Sequence, residues 1–286
     1  MNLEIYGKVQ NDFNLINNNS FKINAICKYF IIVDDKLKLT NLIKYLKEVN
    51  VKYLVLGGGS NIILPSYYDG VVIKLDFKEL IIKDELVEVG ASYFLNKLAS
   101  ETINLGLKGL EWAAGIPGHI GGSIVSNAGA YKHEICEVVE KIEVLENDEI
   151  KVLGKQDIKF SYRQSDLKGK IVLKAYLKLT KSNKEELLQL VKDNTAKRVS
   201  TQPLEYPSVG SVFRNPPDNY AAGKLIEDAG LKGYSIGGAE VSKKHANFII
   251  NKGDATSEDI ISVINFVHNK VLEVYGIDLI VEPEII

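Results

Sequence analysis

Apolar positions along this 286-residue chain change their period several times, and each change marks an element. The run CKYFIIV from Cys27 is β-rich and predicts a strand, so the ordered chain is expected to begin near there. KLTNLIKYLKEVN, Lys38 to Asn50, repeats apolar residues at helical spacing, and VKYLVL, Val51 to Leu56, is again a short apolar run. Strand, helix, strand is the economical reading. The last of these stops at Gly57-Gly58-Gly59-Ser60-Asn61, where residues without Cβ let the backbone bend sharply or approach a ligand. Between Gly70 and Gly90 the pattern becomes short β segments, VVIKL, LIIK and LVEVG, and a helix is expected over Tyr93 to Thr102.

From Gly106 to Tyr131 the chain reads GLKGLEWAAGIPGHIGGSIVSNAGAY, too apolar for a flexible linker and too rich in glycine for a regular helix. Such a segment should be ordered around something. β alternation returns in VVEKIEVLE, EIKVLG and KIVLKAYLKLT, with a loop over Lys159 to Ser165. A charged helix begins near Ser182, where a domain boundary is expected. Beyond it come a proline-bounded segment, QPLEYPSVGSVFRNPP, a helix AAGKLIEDAG, a strand HANFIIN and a helix SEDIISVINFVHNKVLEVYG that Gly276 can cap. DLIVEPEII reads as a closing apolar strand that carries Glu282 and Glu284. The alternation is irregular, so the class is α+β rather than a βα repeat.

Composition narrows the chemistry. With 45% hydrophobic and 25% charged residues and a net charge of -2, the chain reads as an ordinary globular protein with no long-range attraction for nucleic acid. No window reaches the roughly 18 apolar residues that span a bilayer, and the first residues do not resemble a secretion signal, so no membrane partner and a cytoplasmic location are expected. Cys27 and Cys136 form no CxxC pair and no metal-ligand spacing with the histidines, so both read as buried thiols and no metal is expected. Only three of the thirty-five basic residues are arginine: Arg163, Arg198 and Arg214. Arginine offers a planar fork of donors that lysine lacks.

The glycine motifs admit two readings each. Gly57 to Asn61 could cradle a phosphate through backbone N–H groups or could simply be a turn. Neither GxGxxG nor GxxxxGK[ST] occurs. Gly115-Ile116-Pro117-Gly118, Gly121-Gly122 and the following Asn127-Ala128-Gly129 would suit a flat cofactor with a pyrophosphate tail, or a tight packing junction. Trp112 beside them reads as core.

Five blocks in order then carry a resemblance: LGGGSN at Leu56 to Asn61, EWAAGIPGHIGGSIVSNAGAY at Glu111 to Tyr131, Tyr162-Arg163, GSVFRNP at Gly210 to Pro216, and AGKLIEDAGLKGYSIGGAEVSKKHANFIIN at Ala222 to Asn251. Together they resemble the UDP-N-acetylenolpyruvoylglucosamine reductase family from about Ser20 onward. The resemblance implies a two-subdomain FAD-binding fold of the vanillyl-alcohol-oxidase type with a third α+β substrate-binding domain. It sets boundaries at 1–70, 71–181 and 182–286, in the compact form without an inserted tyrosine loop. It also implies a flavoenzyme of cell-wall synthesis in which NADPH reduces FAD and the flavin reduces an enolpyruvyl UDP-sugar to UDP-N-acetylmuramate; a monomer is expected.

Site residues follow from the matching positions. Ser211 would protonate the enolate, Arg163 would hold the substrate carboxylate beside Tyr162, and Glu282 would complete the proton-handling group, with Glu284 the competitor for that role. Arg214, Asn215 and Lys224 are expected at the substrate. Gly57, Gly58, Gly59, Ser60 and Asn61 are expected at the pyrophosphate. Gly115, Ile116, Pro117, Gly118, Gly121, Gly122, Ser123, Asn127 and Gly129 are expected under the flavin and its ribityl chain. Arg198 is expected to order the third domain, and His245 to be structural or near the nicotinamide path. The chain departs from the family at Asn24-Ala25, where paired glycines are usual, and at Pro283-Glu284 after the expected glutamate. Another FAD-dependent oxidoreductase would keep the glycine blocks without needing Ser211, Arg163 and Glu282. A sugar-nucleotide-binding protein without catalysis would have lost the acidic groups.

Overall fold

The computed structural model describes residues 1–217 and 220–286. Its helices are α1 (Lys36–Glu48), α2 (Leu95–Asn104), α3 (Ile120–Val125), α4 (Lys184–Thr201), α5 (Ala222–Asp228) and α6 (Ser257–Tyr275). The chain divides into two compact units, one made of Met1–Asn11, Tyr29–Gly58 and Gly70–Thr195, the other of Asp12–Lys28, Gly59–Asp69 and Ala196–Ile286.

The first unit holds two apolar cores. In one, α1 lays Leu39, Leu42, Ile43 and Leu46 against Ile31, Val33, Val71 and Ile73. Apolar residues at spacings of three and four give α1 one buried face, and Asp35 caps it by accepting from Lys38 N at 2.8 Å. The strand Tyr53–Val55 runs parallel to Tyr67–Leu75, with Val55 opposite Ile73. The other core lies on a five-stranded antiparallel sheet in the order Glu149–Gly154, Val139–Glu146, Ile171–Lys178, Leu86–Gly90, Leu80–Lys83. α2 and α3 contribute Leu95, Leu98, Ala99, Ile120 and Ile124 to it, and Trp112 is core as expected, donating Nε1 to Gly109 O at 3.0 Å. Between the strand ending at Lys178 and α4 lies only the short strand Thr180–Lys181, which pairs with Leu107–Lys108.

In the second unit, α6 buries Ile260, Val263, Ile264, Val267 and Val271. Thr256 and Asp259 form a capping box at its start, and Gly276 ends it at φ 68°. A three-stranded antiparallel sheet, Ser235–Ile236, Ala239–Val241 and Ile249–Asn251, stands beside it. A short parallel pair joins Ile62–Ile63 to Glu284–Ile285, and Asn251 Nδ2 donates to Phe21 O at 2.8 Å.

Three expectations change. Order begins well before Cys27: Lys8–Asn14 is a strand, whose mostly exposed side chains give it no apolar alternation to read. HANFIIN is strand only from Ile249, because Phe248 N bonds back to His245 O and turns the chain over His245–Asn247. DLIVEPEII is not one strand: after an isolated bridge at Val281 the chain bends at Pro283, and only Glu284–Ile285 pairs.

Candidate active site

The two glycine motifs meet in the first unit. A Cβ on Gly58 would lie 2.8 Å from Gly118 Cα, so the backbones touch where any side chain would part them. Beside this contact, a Cβ on Gly57 or on Gly122 would meet no heavy atom within 4 Å. One pair of glycines is needed for packing, and the other two face space where a ligand can lie against the main chain. Gly121 is of the first kind, since a Cβ there would lie 3.0 Å from Ala91 Cβ. Around Gly118 the chain is anchored by Leu95 N to Gly118 O and by Ile120 N to Tyr93 O. Ser123 is buried and donates to His119 O at 2.8 Å, and Gly115 and Pro117 are exposed.

Two basic groups that patterning did not single out stand at this contact. Lys74 donates to Gly57 O, and burial, with Lys78 nearby, pushes its pKa down to about 8. His119 is pushed down to about 4 by burial and then by Lys74 and Lys78, so its ring is neutral at pH 7. Phe94 packs edge-on against it at 4.7 Å.

The expected loop over Lys159 to Ser165 is a tight hairpin, Phe160–Ser161 against Gln164–Ser165, with Tyr162 and Arg163 at its tip. Arg163 adopts φ 58°, a left-handed conformation that costs an L-residue roughly 1 kcal/mol or more. Its head is held by side-chain geometry: Nη2 donates to Gly129 O at 2.6 Å and Nη1 to Glu134 Oε1 at 3.2 Å. The guanidinium also lies 5.0 Å from the Tyr162 ring. Asn127 is fully buried and joins the parts: its Nδ2 donates to Glu134 Oε2 at 2.7 Å and to Ser161 O at 3.0 Å, while its Oδ1 accepts from Cys136 N at 3.3 Å. Asn127 thus spends its side chain on the hairpin and on Glu134. Burial raises the Cys136 thiol, with the Glu134 charge adding to it.

In the second unit, Ser211 to Arg214 lie between two other segments. Val212 N donates to Asn247 O and Phe213 N to Asn247 Oδ1, while Asn247 Nδ2 returns a bond to Phe213 O at 2.8 Å. From the other side Glu282 N donates to Val212 O at 2.8 Å, and Arg214 N to Ile280 O at 2.9 Å. The segments that carry Ser211 and Glu282 therefore lie side by side, with Phe213 bridged to Val281. Gly210 at φ 84° makes the turn that enters the segment. Among the described residues the Ser211 hydroxyl makes no hydrogen bond. Glu282 is half-buried whereas Glu284 is exposed, and Glu284 N bonds to Asn61 O at 3.0 Å. Asn61 also reaches Glu282 O through Nδ2 at 3.5 Å. Gly59, at φ 67°, sits against Asn18 O, where no side chain fits.

The remaining expected residues are more dispersed. Asn215 accepts from Ala222 N at 3.1 Å, at the start of α5. Lys224 is exposed and pairs with Asp228 at 2.6 Å, a helical i,i+4 pair. Arg198 lies half-buried in the last turn of α4. His245 accepts from Asn247 N at 3.3 Å and packs edge-on against Phe248, a structural position, and burial lowers its pKa. Asn247 and Glu134 had no signal of their own in the sequence: a lone Asn or Glu is ordinary until the fold shows what it ties together.

Comparison with known proteins places the chain among its relatives. Residues 202–286 match the family described as "UDP-N-acetylenolpyruvoylglucosamine reductase, C-terminal domain", and residues 27–151 match "FAD binding domain". A UDP-N-acetylenolpyruvoylglucosamine reductase of Caldanaerobacter subterraneus is 44% identical over 93% of this chain and 90% of its own length. The enzyme of that name from Bacillus subtilis is 40% identical over 98% of this chain and 94% of its own. The crystal structure of UDP-N-acetylenolpyruvylglucosamine reductase from Thermus caldophilus superposes with a TM-score of 0.84 at 31% identity, covering 98% of this chain and 99% of that one. No helix among the described residues is long and apolar enough to cross a membrane. Glycine turns that meet in the first unit, and a serine and a glutamate on adjoining segments of the second, thus occur in a chain that belongs to the UDP-N-acetylenolpyruvoylglucosamine reductase family.

Proposed function

We propose that the chain catalyses the NADPH-dependent, FAD-mediated reduction of UDP-N-acetylglucosamine enolpyruvate to UDP-N-acetylmuramate, which feeds peptidoglycan synthesis. The observation that supports this reading is the pairing of the segments that carry Ser211 and Glu282, where Glu282 N donates to Val212 O. The residues fit the cofactor: the open faces of Gly57 and Gly122, beside a backbone contact at Gly58 and Gly118, leave room for a long flat group against exposed main chain. In this reading Gly57 to Asn61 hold the diphosphate, and Gly115, Ile116, Pro117, Gly118, Gly121, Gly122, Ser123 and Gly129 line the flavin and ribityl part. Asn127 serves that part through the backbone it fixes. A flavin held there and reduced by NADPH would supply the hydride chemistry at the vinyl carbon.

The chain's own residues handle charge and proton. Arg163, already oriented by Gly129 and Glu134, offers a fixed fork to the substrate carboxylate and stabilises the negative charge that develops beside it. Ser211 delivers the proton to the neighbouring carbon. A hydroxyl is a poor acid in bulk water, so this needs a strongly basic enolate held close and shielded from solvent. Glu282 stands with Ser211 to handle that proton, and its half-buried position favours it over exposed Glu284. Arg214, Asn215, Lys224 and Tyr162 are read as contacts to the sugar nucleotide, with Arg198 ordering the end of α4.

The three-part division, 1–70, 71–181 and 182–286, is kept as a functional proposal. One core of the first unit joins residues before 70 to Val71, Ile73 and Phe77, and Asp12–Lys28 and Gly59–Asp69 pack with the last part. The enzyme is read as a monomer and as cytoplasmic, and two free cysteines fit a reducing compartment. The test is anaerobic: NADPH should bleach the bound flavin, and the enolpyruvyl sugar nucleotide should restore its colour. A flavin that stays reduced after substrate is added removes the assignment.

A further inference from the structure

Lys74 has an unusual position for a lysine. It lies between buried Ile73 and Leu75 near the carboxyl end of the strand Tyr67–Leu75, and Gly57 follows the carboxyl end of the parallel neighbour Tyr53–Val55. Parallel strands bring their carboxyl ends to one edge, where ligands of open α/β sheets bind. Its ammonium has three donors, and the acceptor found for it is Gly57 O. Among the described residues no carboxylate lies within ion-pair reach of Lys74: Asp76 pairs with Lys78, and Glu79 pairs with Lys174 at 3.6 Å. The remaining titratable neighbour, His119, is neutral at pH 7. A half-buried cation without a counter-charge therefore stands at a glycine turn whose open face begins at Gly57.

We propose that Lys74 is an anion-binding residue for the FAD diphosphate, charge-pairing with it at the Gly57 turn. This rests on the reading that Gly57 to Asn61 hold the diphosphate. Among the described residues the fold keeps this lysine apart from carboxylates, and the cofactor would supply the negative charge. Burial and Lys78 bring Lys74 down to about 8 in the protein alone, and a bound dianion raises it again. The sign follows: below about pH 8 the lysine is charged with or without cofactor and affinity is flat. Above it, FAD binding must take up a proton, so affinity falls as pH rises.

The experiment measures FAD dissociation from the holoenzyme by ultrafiltration and flavin absorbance, at about pH 7 and about pH 9.5. Wild type should lose about tenfold or more in affinity between the two, and Lys74→Arg, which stays charged, should lose much less. Lys74→Met should bind FAD about ten- to a hundredfold more weakly at the lower pH and show no such fall with pH. Gly57→Val serves as the control for the glycine turn, since its Cβ meets no protein atom yet would enter the ligand's space. Should Lys74→Met match wild type in affinity and pH profile while Gly57→Val weakens binding, the lysine's role is refuted and the glycine reading stands. If Gly57→Val is also without effect, the glycine reading itself fails. Where Lys74→Met does not fold, coincident pH profiles for wild type and Lys74→Arg refute the proposal.

Discussion

Arg163 Nη1 donates to Glu134 Oε1 at 3.2 Å, so a carboxylate aims the arginine before any anion reaches it. Glu134 is itself fixed through Oε2 by Asn127, a residue with no exposed surface. Replacing Glu134 by Gln keeps the shape but removes the charge that orients the fork. The expected result is a fall of about tenfold in kcat/KM for the enolpyruvyl substrate, the scale of one charged hydrogen bond, with flavin reduction by NADPH unchanged. Stopped-flow measurement of the two half-reactions checks this. Equal slowing of both would mean that Glu134 supports the fold rather than Arg163.

Glycines 58 and 122 should respond in opposite ways to the same added methyl. Gly58→Ala forces a Cβ against Gly118 Cα and should cost roughly 1–3 kcal/mol of stability. Gly122→Ala meets no protein atom and lies within α3, so the apoprotein should keep or gain up to about 1 kcal/mol. Its FAD retention should nevertheless fall, because the methyl occupies space proposed for the cofactor. Thermal melting of apoprotein and flavin absorbance of the purified enzyme distinguish the two effects.

Ser211→Ala should leave the NADPH half-reaction nearly intact and slow reoxidation by substrate by at least about 10²-fold, the lower range for losing a positioned proton donor. The turn at Gly210 and the clamp by Asn247 do not involve the hydroxyl, so the variant should fold as wild type. Rapid-reaction absorbance at the flavin bands measures both rates.

Glu282→Gln and Glu284→Gln separate the two carboxylates. Glu282 is half-buried on the segment bonded to Val212, and Glu284 is exposed. Turnover should therefore fall by about 10²-fold in the first and remain within about twofold in the second. Steady-state kcat of both variants decides the assignment, and the reverse order would transfer the role to Glu284.

His268 Nε2 lies 2.6 Å from Asp278 Oδ1, and this hydrogen bond raises the histidine pKa. The folded value is above the unfolded one, so the added stability is fully present below about pH 6.5 and is lost as pH rises through the folded pKa. Asp278 is largely exposed, which limits the effect to a few tenths of a kcal/mol. The difference in melting temperature between wild type and His268→Asn should shrink on going from mildly acidic to alkaline pH. A difference that stays constant would argue against the pair.

Much of this was legible because it is local. Helical spacing from Lys38 onward marked α1, Gly276 marked the end of α6, and the glycine blocks marked their own turns. Other features depend on contacts distant in sequence. Lys8–Asn14 has too little buried surface to show alternation, and finds its place by pairing. Lys74 looks like any lysine in a β segment until the parallel register puts Gly57 beside it. Asn247 interrupts a plausible strand because its side chain bonds both polar groups of Phe213, 34 residues away. Glu282 and Glu284, two residues apart, would share one face of a regular strand, but the bend at Pro283 separates them into a half-buried and an exposed position.

The bond from Asn61 to the Glu282 carbonyl spans 221 residues of sequence. Closing a loop of that length costs on the order of 5 kcal/mol in chain entropy, and contacts of this kind form late. Refolding kinetics should therefore separate structure from competence. The local helices return early, whereas turnover recovers only in the slowest phase, when residues near 61 capture the distant segment. A fragment starting at Ala196 carries both Ser211 and Glu282 yet lacks the early strand that seats the glutamate. Such a piece should behave as a collapsed chain until the missing partner is supplied in trans.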